Sequence, residues 1–361
     1  MRFLVSGGGT GGHVYPALAV ARALRDVRPD AELAYVGGAR GLERRIVTEQ
    51  GWPPYHQLLV RSLRSVGLDH HLVLDPVRLG ASVPQAWWLL GRLRPSAVFT
   101  SGGYLGIPLV MAARARGVPS VVWEGNVVPG KATRLVGRLA SRVAVSFEPT
   151  LAAFGERAFV SGTPIRSFAG VDRVTARASF GVGEGERLLL VFGGSQAVAR
   201  ITEALRAALP AILPAWRVLH ITGEPGLPEA ERVRSGLPEG LRDRYQPVAF
   251  LTDRMADALI AADLVLGRSG SSTCAEVAAV GVASILVPYP HAGAHQRANA
   301  KWLADKGAAV VVPDEELTGE RLAAEVERLA DDATRATMAE AARALGRPDA
   351  AARIAAEVVA L

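Results

Sequence analysis

The chain has 361 residues, 49% hydrophobic and 21% charged, the proportions of a globular protein long enough for two domains. Its formal charge of +6 is uneven: residues 1–163 carry 19 Lys and Arg against 10 Asp and Glu, whereas the remainder carries 22 against 25. The single cysteine, Cys274, excludes an internal disulfide and a cysteine-based metal cluster, and no run reaches the ~18–20 uninterrupted apolar residues of a membrane span.

A net +9 on the first half predicts an acidic partner there, either a membrane surface or a nucleic acid. The first glycine, Gly7, comes after only six residues, with no apolar signal segment before it, so the expected compartment is the reducing cytoplasm.

The first β-prone run, Arg2 to Val5, meets Ser6-Gly7-Gly8-Gly9-Thr10-Gly11-Gly12-His13, and Val14-Tyr15-Pro16 then opens an alanine- and leucine-rich helix. Strand, glycine turn and helix start together make a site for an anion or polar group, because backbone N–H groups can approach a ligand closely there. Gly7 to Gly12 also satisfies G-x-G-x-x-G. A dinucleotide site, however, needs an acidic residue at the end of the second strand, and that strand ends Tyr35-Val36-Gly37-Gly38, so NAD is disfavoured. The absence of Gly-Lys-Ser/Thr removes the P-loop reading.

Further β-like runs follow at Glu32 to Val36, Tyr55 to Leu59, Ala97 to Thr100, Ser120 to Trp123 and Arg142 to Val145, with helical stretches between most of them. This alternation predicts a parallel sheet covered on both faces. The stretch holding Leu72, Val73, Leu74, Val77, Leu79, Trp87, Trp88, Leu89 and Leu90 with Arg61, Arg64, Arg78, Arg92 and Arg94 fits a membrane-docking surface. It fits equally a core-facing helix with a solvated basic face. The charge of the first half favours the membrane, and no helix-turn-helix or RNA-binding aromatic motif supports a nucleic acid.

Turn residues from Gly162 to Gly185 mark a junction, after which the pattern restarts at Arg187 to Phe192 with a second glycine turn, Gly193-Gly194-Ser195-Gln196. Strands are expected at Val218 to Thr222, Tyr245 to Ala249, Leu264 to Gly267, Ser284 to Val287 and Ala309 to Val312. Helices are expected at Leu317 to Leu329, Ala333 to Leu345 and Ala350 to Leu361, the last packing back on the first domain. Between them Gly267-Arg268-Ser269-Gly270-Ser271-Ser272-Thr273-Cys274-Ala275-Glu276 leads from a strand into a hydroxyl-rich helix. A diphosphate could rest on that helix start with Glu276 on a ribose; a Thr273–Glu276 capping box is the competing reading. Arg166 is either a bidentate phosphate ligand or a solvated junction residue. No Asp-x-Asp pair or spaced histidines offer to hold a metal, so none is expected.

Gly8 to His13, Gly102-Gly103-Tyr104, Glu124 with Asn126, Gly193 to Gln196, Arg268-Ser269-Gly270 with Glu276, and His295-Gln296 with Asn299-Ala300 stand in one order along the chain. In that combination the chain resembles the MurG family, glycosyltransferase family 28, over essentially its whole length. The resemblance implies an α/β GT-B fold of two Rossmann-like domains facing across a cleft, with domains at 1–163 and 164–345 and a returning helix at 346–361. It implies inverting transfer of GlcNAc from UDP-GlcNAc to the 4-hydroxyl of MurNAc in undecaprenyl-diphospho-MurNAc-pentapeptide, without a cofactor, at the cytoplasmic face of an anionic membrane. His13 is the implied general base. Thr10, Gly11, Gly12, Asn126, Arg166, Ser195, Leu251, Ser271, Ser272, Thr273, Glu276, His295 and Gln296 would meet the donor, with Leu251 on the uracil through its backbone. Gly9, Gly102, Gly103 and Tyr104 would meet the acceptor. The family pattern is altered at Gly125, Thr163, Ala197 and 292–294. Another GT-B enzyme, such as a glycolipid glycosyltransferase or a UDP-GlcNAc 2-epimerase, and a non-catalytic sugar-nucleotide-binding protein are the alternatives.

Overall fold

The computed structural model describes residues 1–38, 42–49, 51, 54–60, 71–193, 199–290 and 295–361. They divide into two compact units, Met1–Arg166 with Arg347–Leu361, and Ser167–Gly346. Each is built on one parallel sheet.

In the first unit, β1 (Arg2–Ser6), β2 (Glu32–Gly38), β3 (Tyr55–Leu58), β4 (Ala97–Thr100), β5 (Ser120–Glu124), β6 (Arg142–Val145) and β7 (Ala158–Val160) lie in the order β3-β2-β1-β4-β5-β6-β7. In the second, β8 (Arg187–Phe192), β9 (Trp216–Ile221), β10 (Tyr245–Val248), β11 (Leu264–Gly267), β12 (Ala283–Leu286) and β13 (Val310–Val311) lie in the order β10-β9-β8-β11-β12-β13. Both sheets step outward from their first strand in one direction, then return to its other side. That reversal, between β1 and β4 and between β8 and β11, leaves a crevice at the C-terminal strand ends where open parallel sheets bind ligands. The short β7, which pairs with β6, has no counterpart in the sequence reading: three half-buried residues after a turn carry too little periodicity to register.

Alternation along the strands explains how one sheet supports two cores. Phe3 and Val5 enter a core on one face and Leu4 a core on the other; Phe99 and Val98 divide in the same way. The first face is covered by the helix Gly11–Val27, whose Val14, Ala17, Leu18, Ala21 and Leu24 recur at helical spacing and are all buried. It is also covered by the helix Ala350–Ala360, whose Ile354, Ala355 and Val358 join the same cluster. The chain's last helix thus completes the core begun by its first, and Arg142 fastens it through Glu357 at 2.7 Å.

The helix His71–Leu93 lies on the other face with the helix Gly103–Ala115. It divides the residues assigned to membrane contact. Ala86, Leu89 and Leu90 are core residues, and Leu79 is partly buried against two clusters. Val77, Trp87 and Trp88 are exposed at 62%, 47% and 58%. The Leu74 side chain, Arg61 and Arg64 lie outside the described residues. Among the described residues no helix is long and apolar enough to cross a membrane.

Because Ile354 is fully buried, Ile354→Ala is expected to lower the stability of the first unit by about 2–5 kcal/mol. Urea unfolding followed by the fluorescence of Trp123, which lies in the same cluster, measures it.

Candidate functional site

At the first reversal, the end of β1 runs through Gly7–Thr10 into the helix Gly11–Val27, and the end of β4 runs through Ser101–Gly102 into the helix Gly103–Ala115. The two connections are tied together. Ser101 N donates to the Ser6 carbonyl at 2.9 Å, and the Ser101 hydroxyl donates to the His13 carbonyl at 2.8 Å. The His13 Nδ1 lies 2.7 Å from the Ser101 carbonyl. A carbonyl only accepts, so Nδ1 carries the hydrogen, and the lone pair of the neutral ring resides on Nε2.

The ring rests against Gly103, where an added Cβ would stand 3.7 Å from Nε2. Gly102 and Gly103 have φ of +84° and +70°, a backbone that favours glycine and turns the start of that helix around the imidazole. Gly7 is required for space: a Cβ there would stand 2.5 Å from both the His13 carbonyl and the Ser101 hydroxyl. His13 is half-buried, and Gly9 and Gly12 are exposed. Tyr104 is partly buried and packs against both cores of that face of the sheet.

The loop also has a floor that the sequence reading missed. Tyr35 donates its hydroxyl to the Gly7 carbonyl at 2.6 Å, and Tyr55 donates to the Gly38 carbonyl at 3.1 Å. Burial first, then the nearby Glu43 carboxylate, pushes both phenols above their ordinary pKa. Glu43 itself accepts from Gly9 N at 3.2 Å and from Gly38 N at 3.0 Å. The Gly9 N–H is therefore turned inward, and the donors of this loop that begin the helix belong to Gly11 and Gly12. A carboxylate five residues past the second strand carries no local signal of such a contact.

Beside β4, the end of β5 forms a closed turn. Glu124, buried, accepts from Asn126 N at 2.9 Å, from Asn126 Nδ2 at 3.0 Å and from Gly130 N at 2.9 Å. The Asn126 side-chain amide is thereby oriented by Glu124, and Thr150 donates to the Asn126 carbonyl at 3.0 Å. Gly125 is buried, and Thr163 donates to Ser146 at 2.8 Å inside the same unit. Arg166 is exposed and is the last residue of the first unit before the chain enters the second.

In the second unit, β11 leads through Arg268–Gly270 into the helix Ser271–Val280. Gly270 is the N-cap, in extended geometry, and Cys274 N donates to its carbonyl. The capping-box reading is thereby overturned: Thr273 lies inside the helix and makes no cap, and Glu276 is buried on the next turn. Ser271, Ser272 and Thr273 are half-buried on the first turn, whose backbone N–H groups have no helical acceptor. Dipole and donors together suit an anion there.

This turn is anchored by two contacts from later elements. Arg268, 5% exposed, donates to the Val287 carbonyl at 3.3 Å and pairs with Asp314, with the Tyr289 ring 5.4 Å from its guanidinium carbon. Removing Asp314 would take an ion-pair partner from a buried cation, at a cost of about 3–5 kcal/mol. Ser269 donates to the Gln296 carbonyl at 2.8 Å, and Asn299 Nδ2 donates to the Ser269 carbonyl at 3.3 Å. The Gln296 side-chain oxygen accepts from Tyr289 N at 2.9 Å. His295, half-buried, begins the helix His295–Ala304. Leu251 is half-buried just beyond the end of β10, beside the 61%-exposed Phe250. Ser195 lies outside the described residues. Among the described residues no group of three or more His, Cys, Asp or Glu is arranged to hold a metal.

The glycosyltransferase family 28 N-terminal domain matches residues 3–145 and the family 28 C-terminal domain matches residues 188–354. The chain is 40% identical over 356 residues to the UDP-N-acetylglucosamine--N-acetylmuramyl-(pentapeptide) pyrophosphoryl-undecaprenol N-acetylglucosamine transferase of Desulforudis audaxviator, covering 96% of this chain and 95% of that one. It is 41% identical over 364 residues to the protein of the same name from a Nocardioides species, covering 98% and 96%. Among solved structures it resembles Acinetobacter baumannii MurG with a TM-score of 0.81 and 29% identity, covering 100% of this chain and 99% of that one.

His220, buried at the end of β9, meets the Tyr245 hydroxyl at 2.9 Å, and burial lowers its pKa to about 4. The unfolded chain takes up a proton near pH 6.5 that the folded ring refuses, so stability is full above that pH and declines as pH falls toward 4. A loss of roughly 3 kcal/mol over that window is expected. Urea midpoints measured between pH 7 and 4 test this, and His220→Gln should flatten the dependence.

Proposed function

The chain belongs to glycosyltransferase family 28, and on that footing we propose that it transfers GlcNAc from UDP-GlcNAc to the 4-hydroxyl of MurNAc in undecaprenyl-diphospho-MurNAc-pentapeptide, the step that completes the lipid-linked disaccharide of peptidoglycan. The observation that carries the reading is the His13 imidazole, fixed by the Ser101 carbonyl so that Nε2 is the accepting nitrogen at the reversal of the first sheet.

The chemistry follows from that placement. The acceptor oxygen attacks the anomeric carbon as the bond to the UDP oxygen breaks on the opposite face, so the configuration inverts. The hydroxyl proton passes to His13 Nε2; imidazoles ordinarily titrate near pH 6.5, which suits them to act as bases at neutral pH. Negative charge grows on the departing diphosphate and is met by the first turn of the helix Ser271–Val280, with the hydroxyls of Ser271, Ser272 and Thr273. Arg166 and Ser195 are assigned to the same diphosphate. Glu276 is assigned to the ribose, the Leu251 backbone to the uracil, and Gln296 with His295 to the sugar. Asn126, Thr10, Gly11 and Gly12 approach the transferred sugar, and Gly102 and Gly103 the acceptor. No metal or cofactor is invoked.

His13→Ala should lower transfer about 10²–10⁴-fold while UDP-GlcNAc still binds. Disaccharide formation from labelled donor and a short-chain acceptor analogue, alongside calorimetric binding of UDP-GlcNAc, makes the measurement. Unchanged turnover in the variant would remove the base assignment, and a wild-type chain that binds donor yet forms no disaccharide would remove the transferase.

Docking on an anionic membrane surface is part of the same proposal. Val77, Trp87 and Trp88 are exposed on one helix, with the Arg116 guanidinium 3.7 Å from the Trp87 ring centre and that of Arg92 5.6 Å from the Trp88 ring centre. Aromatic rings flanked by arginines suit the interface of an anionic leaflet and place the enzyme where a lipid-linked acceptor resides. Replacing both tryptophans by Ser should cut partitioning into phosphatidylglycerol vesicles at least ~10-fold in a sedimentation assay. Equal partitioning of variant and wild type would overturn the assignment.

A further inference from the structure

The residue with the largest unexplained role near His13 is Glu43, on the helix Leu42–Glu49. Its side chain is a carboxylate in a place where a charge is costly: it is 1% exposed. Both oxygens are turned onto backbone. Oε2 accepts from Gly9 in the β1 loop, and Oε1 accepts from Gly38 at the end of β2. The loop lies directly on this group, since a Cβ at Gly8 would stand 2.8 Å from Oε1 and one at Gly38 would stand 3.2 Å from it. Hence Gly8 packs against the carboxylate with no space for a side chain.

We propose that Glu43 is the positioning residue of the reaction: by holding Gly9 to Gly38 it sets the height of the loop from which His13 projects. The proposal rests on the reading of His13 as base. Three structural features support it. The loop leads without slack into the histidine, because His13 N and Val14 N both donate to the Thr10 carbonyl, one residue beyond Gly9. The ring itself is fixed at its other end by Ser101, so a shift of the loop changes the angle at which Nε2 meets an incoming hydroxyl. Finally, two charge-assisted hydrogen bonds hold the loop more firmly than neutral ones would, which an enzyme gains from only where geometry must be kept.

The test is Glu43→Gln, of nearly equal size, with Glu43→Leu beside it. An amide keeps one accepting oxygen and presents N–H to the other backbone donor, so one of the two contacts is lost; leucine loses both. Turnover is expressed per site that binds UDP-GlcNAc by calorimetry, which counts only folded protein. For Glu43→Gln, kcat per donor-binding site should fall ~10–100-fold and the KM for the acceptor analogue should rise, with UDP-GlcNAc still bound. Glu43→Leu should be at least as impaired; if it does not fold, Glu43→Gln alone decides the matter. A merely structural role predicts a different pattern, fewer donor-binding sites with normal kcat and KM at each, and that result overturns the proposal. So does a Glu43→Gln enzyme within about twofold of wild type. Wild-type protein without transfer would remove the transferase reading and this proposal together, whereas normal wild-type transfer with an unaffected variant removes this proposal alone.

Discussion

The hydrogen bond between His13 Nδ1 and the Ser101 carbonyl joins positions 88 residues apart, and the meeting of the two turns that follow β1 and β4 is built around it. It exists because β1 and β4 are neighbours, in register from Phe3 beside Ala97 to Ser6 beside Thr100. With the strand ends level, the two following turns meet, and one carbonyl can fix both the tautomer and the direction of the ring. The glycines at 7, 102 and 103 are consequences of the same closeness. Any side chain at Gly7 would drive the turns apart, and the left-handed backbone at Gly102 and Gly103 bends the second turn around the imidazole.

A second requirement is that the polar groups under these turns be satisfied without water. Tyr35, Tyr55 and Glu43 do this for the β1 loop, Glu124 for the turn after β5, and Asp314 with Ser269 and Asn299 for the turn after β11. Each is a buried or half-buried polar side chain held by hydrogen bonds or an ion pair within its own unit. Rigid turns of this kind keep their ligand-facing donors pointing outward, so little reorganisation is needed when charge develops. Some of these supports come from far along the chain, as Asp314 does 46 positions after Arg268, whereas Glu124 holds the turn that immediately follows it.

Much of this is legible in the sequence. The alternation of apolar runs and helical stretches locates twelve of the strands to within a residue or two of their ends, and the glycine turn after Arg2 to Val5 falls where the first sheet reverses. Local patterns succeed there because a buried parallel strand must be apolar on both faces and a turn must contain residues that can turn. They fail for β7, which is too short to show a period, and for Thr273 with Glu276, where the spacing of a capping box recurs inside a helix that Gly270 caps. Sequence also mixes the exposed and buried faces of the helix His71–Leu93, and only its packing on the sheet separates Leu89 and Leu90 from Trp87 and Trp88.

The sequence by itself determined the class of fold and the two parallel sheets, which follow from local hydrophobic period and turn composition, and it named candidate residues for the chemistry by side-chain type. The tertiary structure decided what those residues touch. That β1 lies beside β4, that the last helix closes the first core, that Nε2 rather than Nδ1 of His13 is the accepting nitrogen, and that Glu43 lies beneath Gly8 and Gly9 are all outcomes of contacts between distant segments. Such contacts depend on how whole faces pack, and no window of a few residues contains that information.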